Sequence, residues 1–243
     1  MTYDISWRVA DLVPFTVIVG GSLFFTIYWF LFISEKIQVW FLNAFQGDKG
    51  KTYHFLFTKY SGLVLLGLLP LVLFQLVLPF YTLADLGLSF SKGTNLLSFY
   101  WVGGLGMPVI ILNWFGSRRQ KTFSMYPQLR IPEWKISTIV MYVTAWSAYL
   151  FGYEVLFRGL LFIPLVDSFG VWPAIAINIA MYSLSHIPKG LDETIGAMVL
   201  GLVLCLITLQ TGTLWVAVVV HIILAVSNSM TALVFHTDMK IVK

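Results

Sequence analysis

The chain has 243 residues, of which only 11% are Asp, Glu, Lys or Arg, against roughly 25% in an average soluble domain. Its mean hydropathy is +0.85, which indicates a polytopic membrane protein. The net charge of +4 therefore does not point to nucleic acid as a partner, because basic residues also mark the cytoplasmic face of membrane proteins. The single cysteine, Cys205, excludes an internal disulfide and a metal site built on several cysteines.

Seven stretches have the length and apolar character of membrane-spanning helices, which need about 20 residues. They are 14–33, 61–80, 96–115, 136–166, 171–187, 194–210 and 213–235. The predicted fold class is therefore all-α, a polytopic helical bundle with about seven transmembrane helices. The fourth stretch would extend roughly 46 Å at 1.5 Å per residue, so it must tilt, kink near Gly152 or begin as an interfacial helix.

The basic residues predict how the chain is oriented in the membrane, since Lys and Arg concentrate in cytoplasmic segments. With seven crossings, only Arg8 and Lys92 fall on one side. The other side receives Lys36, Lys49, Lys51, Lys59, Arg118, Arg119, Lys121, Arg130, Lys135, Lys189, Lys240 and Lys243. We therefore predict an integral membrane protein whose N-terminus is outside and whose C-terminus is cytoplasmic.

The composition of the spans changes near residue 135. Earlier spans are nearly free of ionisable groups, whereas the later ones contain Glu154, Arg158, His186 and His221. This change predicts an N-terminal three-span unit (1–135) and a C-terminal four-span unit (136–243) that share one bundle. An ionisable side chain inside a spanning helix is costly unless it is paired or hydrated, so these four residues are candidates for a functional site.

Spacing predicts that three of the candidates lie together. Glu154 and Arg158 are four residues apart, so they share a helix face and can form an ion pair. The segment 167–170 is so short that the helices around it must form an antiparallel hairpin, which places His186 at the depth of Glu154. The alternative is structural: Arg158 only neutralises Glu154, and His186 only donates a hydrogen bond between helices.

The last span contains two further polar candidates. His221 and Asn228 are seven residues apart, nearly two helical turns, and therefore project from the same stripe. For Asn228 and its neighbour Ser227 the alternative is that they only join helices through hydrogen bonds. For His221 a functional role is favoured.

Three motifs in order resemble a known family of membrane proteins. Residues 153–159, Tyr-Glu-Val-Leu-Phe-Arg-Gly, resemble the Glu-Glu-x-x-x-Arg signature of the CPBP family of CAAX proteases and bacteriocin-processing proteins. Tyr182 followed four residues later by His186 resembles the second motif of that family, Phe-x-x-x-His. Residues 212–221 resemble its third motif, which ends in His-x-x-x-Asn. Order and spacing agree over about residues 145–230.

The resemblance implies a helical membrane bundle with a sunken active site and intramembrane glutamic endopeptidase activity. By that resemblance the first glutamate of the signature activates water, His186 assists, and His221 with the third-motif Asn stabilises the oxyanion. Tyr153 stands where the first glutamate is expected, and Ala225 stands where the Asn is expected. Tyrosine has an unperturbed pKa of about 10 and is a poor base, while Asn228 lies roughly 4.5 Å further along the helix.

The first functional hypothesis is an endopeptidase that cleaves a membrane-associated or lipid-modified peptide in the bilayer. Glu154 would be the base, Arg158 would keep it ionised, and His186 and His221 would carry a proton and stabilise the oxyanion. The substrate would be bound by Tyr153, Tyr182 and Asn228. We expect a bacterial plasma membrane, because the resembling family is most diverse in bacteria.

Two alternatives to that hypothesis stay open, as does one variant of it. Tyr153 and Ala225 favour an inactive relative that binds a peptide or membrane partner without cleaving it. A transporter is the third hypothesis, although the inverted repeats expected of one are absent from the sequence. No cofactor is expected. Zinc bound by His186, His221 and Glu154 would have the ligand count of a catalytic site, but no His-Glu-x-x-His helix supports it.

Overall fold

The structure is a computed structural model, which describes residues 4–90, 95–116 and 125–242. It confirms the predicted fold class, an all-α polytopic bundle. Within the described residues, six helical segments are long and apolar enough to cross a membrane: Val9–Phe32, Asp48–Val77, Leu96–Gly116, Ile136–Phe169, Leu191–Thr211 and Trp215–Phe235. A seventh apolar helix, Val171–Leu184, is shorter. The protein is therefore an integral membrane protein. The basic residues Lys92, Arg118, Arg119, Lys121 and Lys243 lie outside the described residues.

The first half of the chain forms five α-helices within its described residues. They are α1 (Leu12–Phe32), α2 (Glu35–Ala44), α3 (Asp48–Gly62), α4 (Leu69–Val77) and α5 (Leu96–Gly116). A π-helical segment, π1 (Leu63–Leu68), joins α3 to α4 in one continuous rod. Lys59 therefore lies within a long helix, and the prediction that placed it in a cytoplasmic loop is wrong.

The second half continues with two short strands and five α-helices. They are β1 (Glu133–Trp134), α6 (Ile136–Glu154), α7 (Ile163–Phe169), α8 (Val171–Leu184), α9 (Leu191–Thr211), α10 (Trp215–Phe235) and the strand β2 (Lys240–Ile241). A second π-helical segment, π2 (Val155–Phe162), joins α6 to α7. Strands β1 and β2 pair in parallel.

Helix α8 ends earlier than the fifth predicted span. The prediction ran to residue 187, but α8 stops at Leu184, and His186 lies in the following turn. Two features end the helix here. The Ser185 hydroxyl donates to the carbonyl of Tyr182 (2.7 Å), and Pro188 lacks the N–H that a further helical turn needs. His186 is consequently presented by a turn.

The two long rods cross with their backbones in contact. A Cβ atom on Gly152 of α6 would lie 2.9 Å from Cα of Leu63, and one on Gly67 of π1 would lie 2.7 Å from Cα of Gly152. Glycine at such a crossing lets two helices approach closely. The fourth predicted span is one continuous helical rod, Ile136–Phe169. Its winding changes from α to π at Val155, directly after this crossing.

Several contacts gather one end of the bundle, here called the first end. The Tyr126 hydroxyl contacts Glu193 (3.4 Å) near the start of α9, and Lys59 Nζ donates to Gln128 Oε1 (2.7 Å). Pairing of β1 with β2 brings the segment after α10 to the start of α6. The starts of α6 and α9 and the end of α10 therefore lie together.

Other contacts define the opposite, second end. The Tyr81 hydroxyl donates to Asp167 (3.0 Å) at the end of α7, and Thr213 Oγ1 donates to the Gly87 carbonyl (3.0 Å). Helix α7 ends here while α9 begins at the first end. Helix α8, about 21 Å long at 1.5 Å per residue, together with the turn after it, therefore returns the chain across the bundle.

Helix α8 is fixed against π2 by a buried side-chain amide. Asn178 Nδ2 donates to the carbonyl of Phe157 in π2 (2.6 Å), and Cys205 Sγ of α9 donates to Asn178 Oδ1 (3.3 Å). Since all three groups are buried, these bonds replace the water that the amide would otherwise need. They hold the turn that carries His186 in a fixed relation to the rod that carries Glu154.

The proposed boundary at residue 135 stays a prediction. Helices of the two predicted units pack directly on each other: α3 and π1 lie along α6, α1 contacts π2 and α7, and α5 lies along α10. The units therefore share one bundle.

We expect Gly152→Ala to destabilise the protein, because its methyl group meets the backbone of the opposing rod. Overpacking of this kind costs roughly 1–3 kcal/mol. The midpoint of thermal unfolding in detergent should fall. Gly20→Ala and Gly103→Ala are matched controls, since nothing lies within 4 Å of a Cβ at either position. An unchanged midpoint for Gly152→Ala would show that the crossing is looser than described.

Candidate functional site

A buried carboxylate joins two of the candidate residues. Glu154, the last residue of α6, is fully buried, and its Oε1 lies 2.6 Å from Nδ1 of His221 in α10. Its other oxygen, Oε2, forms an ion pair with Nη1 of Arg158 in π2 at 3.1 Å. The predicted Glu154–Arg158 ion pair is therefore present, and His221 contacts the same carboxylate. Both carboxylate oxygens are engaged.

Tyr182 connects this ion network to His186. The Arg158 guanidinium lies over the Tyr182 ring, 4.4 Å from its centroid. The same ring lies 5.0 Å from the ring of His186 and 6.2 Å from that of His221. The structure thus brings together the four ionisable candidates and the tyrosine predicted from the second motif.

Hydrogen bonds set the tautomer of His186. Its Nδ1 lies 2.9 Å from Ser185 Oγ and 3.0 Å from the Tyr182 carbonyl. The carbonyl can only accept, and the Ser185 hydroxyl already donates to it, so Nδ1 carries the proton and Nε2 is an acceptor. The Tyr153 hydroxyl, 2.8 Å from Ser185 Oγ, donates to the same serine and completes the chain.

Glu154 fixes the tautomer of His221 as Tyr182 and Ser185 fix that of His186. A carboxylate only accepts hydrogen bonds, so Nδ1 of His221 is the donor, and the lone pair of the neutral ring is on Nε2. The ring packs edge-on against Tyr153 at a centroid distance of 5.6 Å. In both histidines the acceptor nitrogen, Nε2, therefore lies on the far side of the ring from the groups that bind Nδ1.

Both imidazoles line one cavity of about 590 Å³ within the bundle. Tyr153, Tyr182, Ser185 and Asn228 line it as well, and its outer wall is aromatic: Phe25, Tyr28, Trp29, Phe32, Trp146 and Tyr149. The fully buried Glu154 and Arg158 are not among the lining residues and lie behind His221 and Tyr182. This arrangement favours a supporting role for Glu154 over the predicted role of base.

Charged residues also line the cavity at the first end. Lys189 Nζ lies 3.4 Å from the Tyr126 hydroxyl and 3.7 Å from Glu193 Oε2. Burial lowers the pKa of Lys189, but the neighbouring Tyr126 and Glu193 more than offset this and leave the pKa above its usual value. Lys189 is therefore a charged and already paired cation. Asp192 lines the same region.

The third-motif region departs from the family pattern in structure as it does in sequence. Ala225 lines the cavity but brings no donor, and Asn228 lines it one turn further along. Ser227 instead accepts a hydrogen bond from Asn113 of α5 (2.7 Å), which supports the joining role considered for it.

Two residues that line the cavity, Ser185 and Lys59, were not predicted as site residues from the sequence. For Ser185, its position directly before His186 was the available signal.

The donor set does not fit a zinc site. Nε2 of His186 and Nε2 of His221 are available, but Glu154 contacts the opposite nitrogen of His221 and cannot be the third ligand that catalytic zinc sites use. Among the described residues no group of three or more His, Cys, Asp or Glu is arranged to hold a metal ion.

Comparison with known proteins gives one match. Residues 135–227 match the family model for type II CAAX prenyl endopeptidase Rce1-like proteins. No curated protein and no solved structure matches the chain. The matched segment contains α6 and π2, which carry Glu154 and Arg158, the turn after α8 that carries His186, helix α9, and the part of α10 that carries His221. The match confirms the resemblance to the CPBP family over residues 135–227.

Proposed function

We propose that the protein is an intramembrane endopeptidase that hydrolyses a peptide bond in a membrane-associated or lipid-modified peptide. The observation that carries this proposal is the pair of imidazoles, His186 and His221, on the wall of one aromatic cavity inside a membrane bundle. Apolar cavities with a few converging polar groups are typical ligand sites. The family match supports peptide hydrolysis as the reaction.

In this proposal the nucleophile is a water molecule held between the two Nε2 atoms. His221 takes its proton as it attacks the carbonyl carbon, and Glu154 at 2.6 Å stabilises the resulting imidazolium. The same proton then passes to the leaving nitrogen as the C–N bond breaks. Arg158 keeps Glu154 ionised, and Nε2 of His186 accepts a hydrogen bond from the second O–H of the water and orients it.

Tyr153 supplies the hydrogen bond to the oxyanion in this proposal. Tyr153 lines the cavity, its ring packs against His221, and a phenol is a donor at neutral pH. Turning from Ser185 to the substrate oxygen leaves Ser185 still bonded to the Tyr182 carbonyl. Tyrosine thus takes the donor role that the missing Asn at position 225 has in the family.

The first end of the bundle faces the cytoplasm in this proposal. Its described basic residues are Lys36, Lys49, Lys51, Lys59, Arg130, Lys135, Lys189 and Lys240, against Arg8 near the second end. Positive charge is enriched on the cytoplasmic side. The charged part of the cavity lining, with Lys189 and Glu193, then faces the cytoplasm. The bacterial plasma membrane is the proposed location.

The proposal predicts that purified protein in detergent cleaves a farnesylated peptide and that His221→Ala and His186→Ala abolish cleavage. Loss of the base should reduce kcat about 10³-fold or more, measured by mass spectrometry of the released fragment. His236→Ala is a matched control, because His236 does not line the cavity. Added imidazole should partly restore His221→Ala. Unchanged turnover in both variants would contradict the mechanism.

A second prediction concerns Tyr153→Phe, which removes only the hydroxyl. Removing one oxyanion donor lowers kcat about 10²–10³-fold, and KM should change little because the ring stays in place. Tyr28→Phe is the matched control, since that tyrosine lines the cavity from α1. An equal loss in both variants would assign the effect to packing.

A non-cleaving binding protein is the second candidate function. Two observations favour it: Tyr153 and Ala225 replace the family's glutamate and asparagine, and Glu154 contacts His221 through one oxygen and Arg158 through the other. A buried ion network that joins helices in this way can be retained for architecture alone. The cavity would then hold a lipid-modified peptide without hydrolysing it.

The two candidates are separated by restoring the family pattern. If the wild type binds the farnesylated peptide without cleaving it, Tyr153→Glu combined with Ala225→Asn should start cleavage, because a base and an amide donor then face the cavity. His221→Ala added to that variant should stop it. Cleavage by the wild type that the double change weakens would instead support the histidine mechanism.

A further inference from the structure

Residues 125–128, called here the cover segment, reach across the first end of the cavity. Both Tyr126 and Gln128 line the cavity. The Tyr126 hydroxyl contacts Glu193 near the start of α9 (3.4 Å). Gln128 Oε1 accepts a hydrogen bond from Nζ of Lys59 in α3 (2.7 Å). The cover segment therefore extends from α9 to α3, two helices that both supply residues to the cavity wall.

The Gln128 side of the cover segment is anchored in the bundle. The backbone N–H of Gln128 donates to the Tyr142 hydroxyl (3.4 Å). Leu129, the next residue, is 1% exposed and belongs with Ile131 to an apolar cluster that also contains Phe55, Trp134 and Tyr142. Moving this side would return buried apolar surface to water, which costs free energy. The Gln128 side is therefore the fixed side.

The Tyr126 side is held to the neighbouring wall through its hydroxyl. This hydroxyl donates to Glu193 Oε2 and accepts from Lys189 Nζ, both at 3.4 Å, and so bridges the ion pair of those two residues (3.7 Å). Hydrogen bonds of this length are weaker than those of the usual length. The Lys189 and Glu193 side chains are also 35% and 30% exposed, so water and salt weaken their attraction. The Tyr126 side therefore releases more easily than the Gln128 side.

We propose that the cover segment is a gate that regulates access to the cavity, with Tyr126 as its moving edge. In the closed state Tyr126 is 7% exposed and bridges Lys189 and Glu193. In the open state its hydroxyl leaves these two residues and the ring swings away, while Gln128 and Leu129 keep their positions. The gate deepens the proposed function and rests on it for the identity of the ligand, a membrane-associated peptide, but opening itself does not depend on cleavage.

The chemistry of the first end explains why a peptide would pass there. A peptide backbone carries N–H and C=O groups that are costly to bring through lipid without partners. The outer wall of the cavity is aromatic, whereas the first end holds Lys189 and Glu193. The polar part of the peptide therefore enters at the first end, where water and these side chains can satisfy its backbone.

The test measures how fast a polar thiol reagent reaches a cysteine inside the cavity. Asn228 lines the cavity, so Asn228→Cys provides the target thiol in the full chain. The probe is a trimethylammonium-ethyl methanethiosulfonate, and mass spectrometry of peptides follows modification at each cysteine. Tyr126→Phe removes only the bridging hydroxyl and should raise the modification rate about 5- to 10-fold. Tyr126→Ala also removes the ring and should raise it further. An unchanged rate in both variants would overturn the gate.

Two other cysteine positions separate opening of the gate from other causes of a faster reaction. Cys205 is native and buried, so it should stay unmodified in every variant. If Cys205 reacts in parallel with the cavity cysteine in both Tyr126 variants, the whole bundle has loosened and the gate is wrong. Lys51→Cys places a thiol at an exposed position, and its rate should be the same with and without Tyr126→Phe.

A matched control tests the loss of a tyrosine ring as such. Tyr60 is 44% exposed and is not among the residues that line the cavity. Tyr60→Ala should therefore leave the modification rate of the cavity cysteine at the wild-type value. An increase equal to that of Tyr126→Ala would contradict the gate.

Peptide binding kinetics separate a gate from a direct contact with the peptide. The ligand is a farnesylated peptide whose scissile amide is replaced by a methyleneamine, and fluorescence anisotropy follows its binding to wild type and to Tyr126→Phe. The variant should speed association and dissociation by the same factor, about 5- to 10-fold, because opening limits both rates. A change in the dissociation rate alone would mean that Tyr126 contacts the peptide, and the gate would be wrong.

The gate and the endopeptidase proposal can fail separately. If the Tyr126 variants admit the reagent faster but wild type does not cleave the natural amide, the gate is supported and the endopeptidase proposal fails. If wild type cleaves the amide and the cavity cysteine reacts at one rate in all variants, the endopeptidase proposal is supported and the gate fails.

Discussion

The buried carboxylate of Glu154 is the group on which the rest of the site depends. A fully buried anion is costly unless both of its oxygens are engaged, and here Arg158 engages one and His221 the other. Because the three residues come from α6, π2 and α10, the same contacts that neutralise the charge also fix three helical segments relative to one another. The imidazole orientation is thus a consequence of satisfying a buried charge.

Close backbone contact makes that arrangement possible. The rod containing α3 and π1 touches the rod containing α6 and π2 at Gly152 without an intervening side chain. Lys59 and Tyr153, which lie on different rods, consequently line one cavity. On the other side, Asn178 bonds a carbonyl of π2 and sets the turn that carries His186. The glycine crossing therefore positions the rod that carries Glu154, and the buried Asn178 amide positions the turn that carries His186.

The sequence was informative where chemistry is unusual for a membrane helix. Glu154, Arg158, His186 and His221 stand out because ionisable groups are rare there. Spacing and hairpin geometry predicted that Glu154, Arg158 and His186 lie together, whereas the contact of His221 with Glu154 depends on how α10 packs on α6. The end of α8 could not be predicted, because the break depends on the Ser185 hydroxyl donating to the Tyr182 carbonyl, a contact that hydropathy does not reveal. Lys59 was misplaced because hydropathy begins the second span only after it, while its burial depends on aromatic rings from α6 and α1 that are distant in sequence.

The tyrosine at position 153 has an electrostatic explanation. A glutamate at 153 would add a second carboxylate directly beside Glu154, and Arg158 is the one cation that forms an ion pair with that residue among the described side chains. Tyrosine removes this repulsion and leaves the inner wall of the cavity without an anion of its own. Asp192 and Glu193 lie at its charged region near Lys189. Tyr153 is therefore compatible with the buried Glu154–Arg158 ion pair, whereas a glutamate at that position would need a counter-ion of its own.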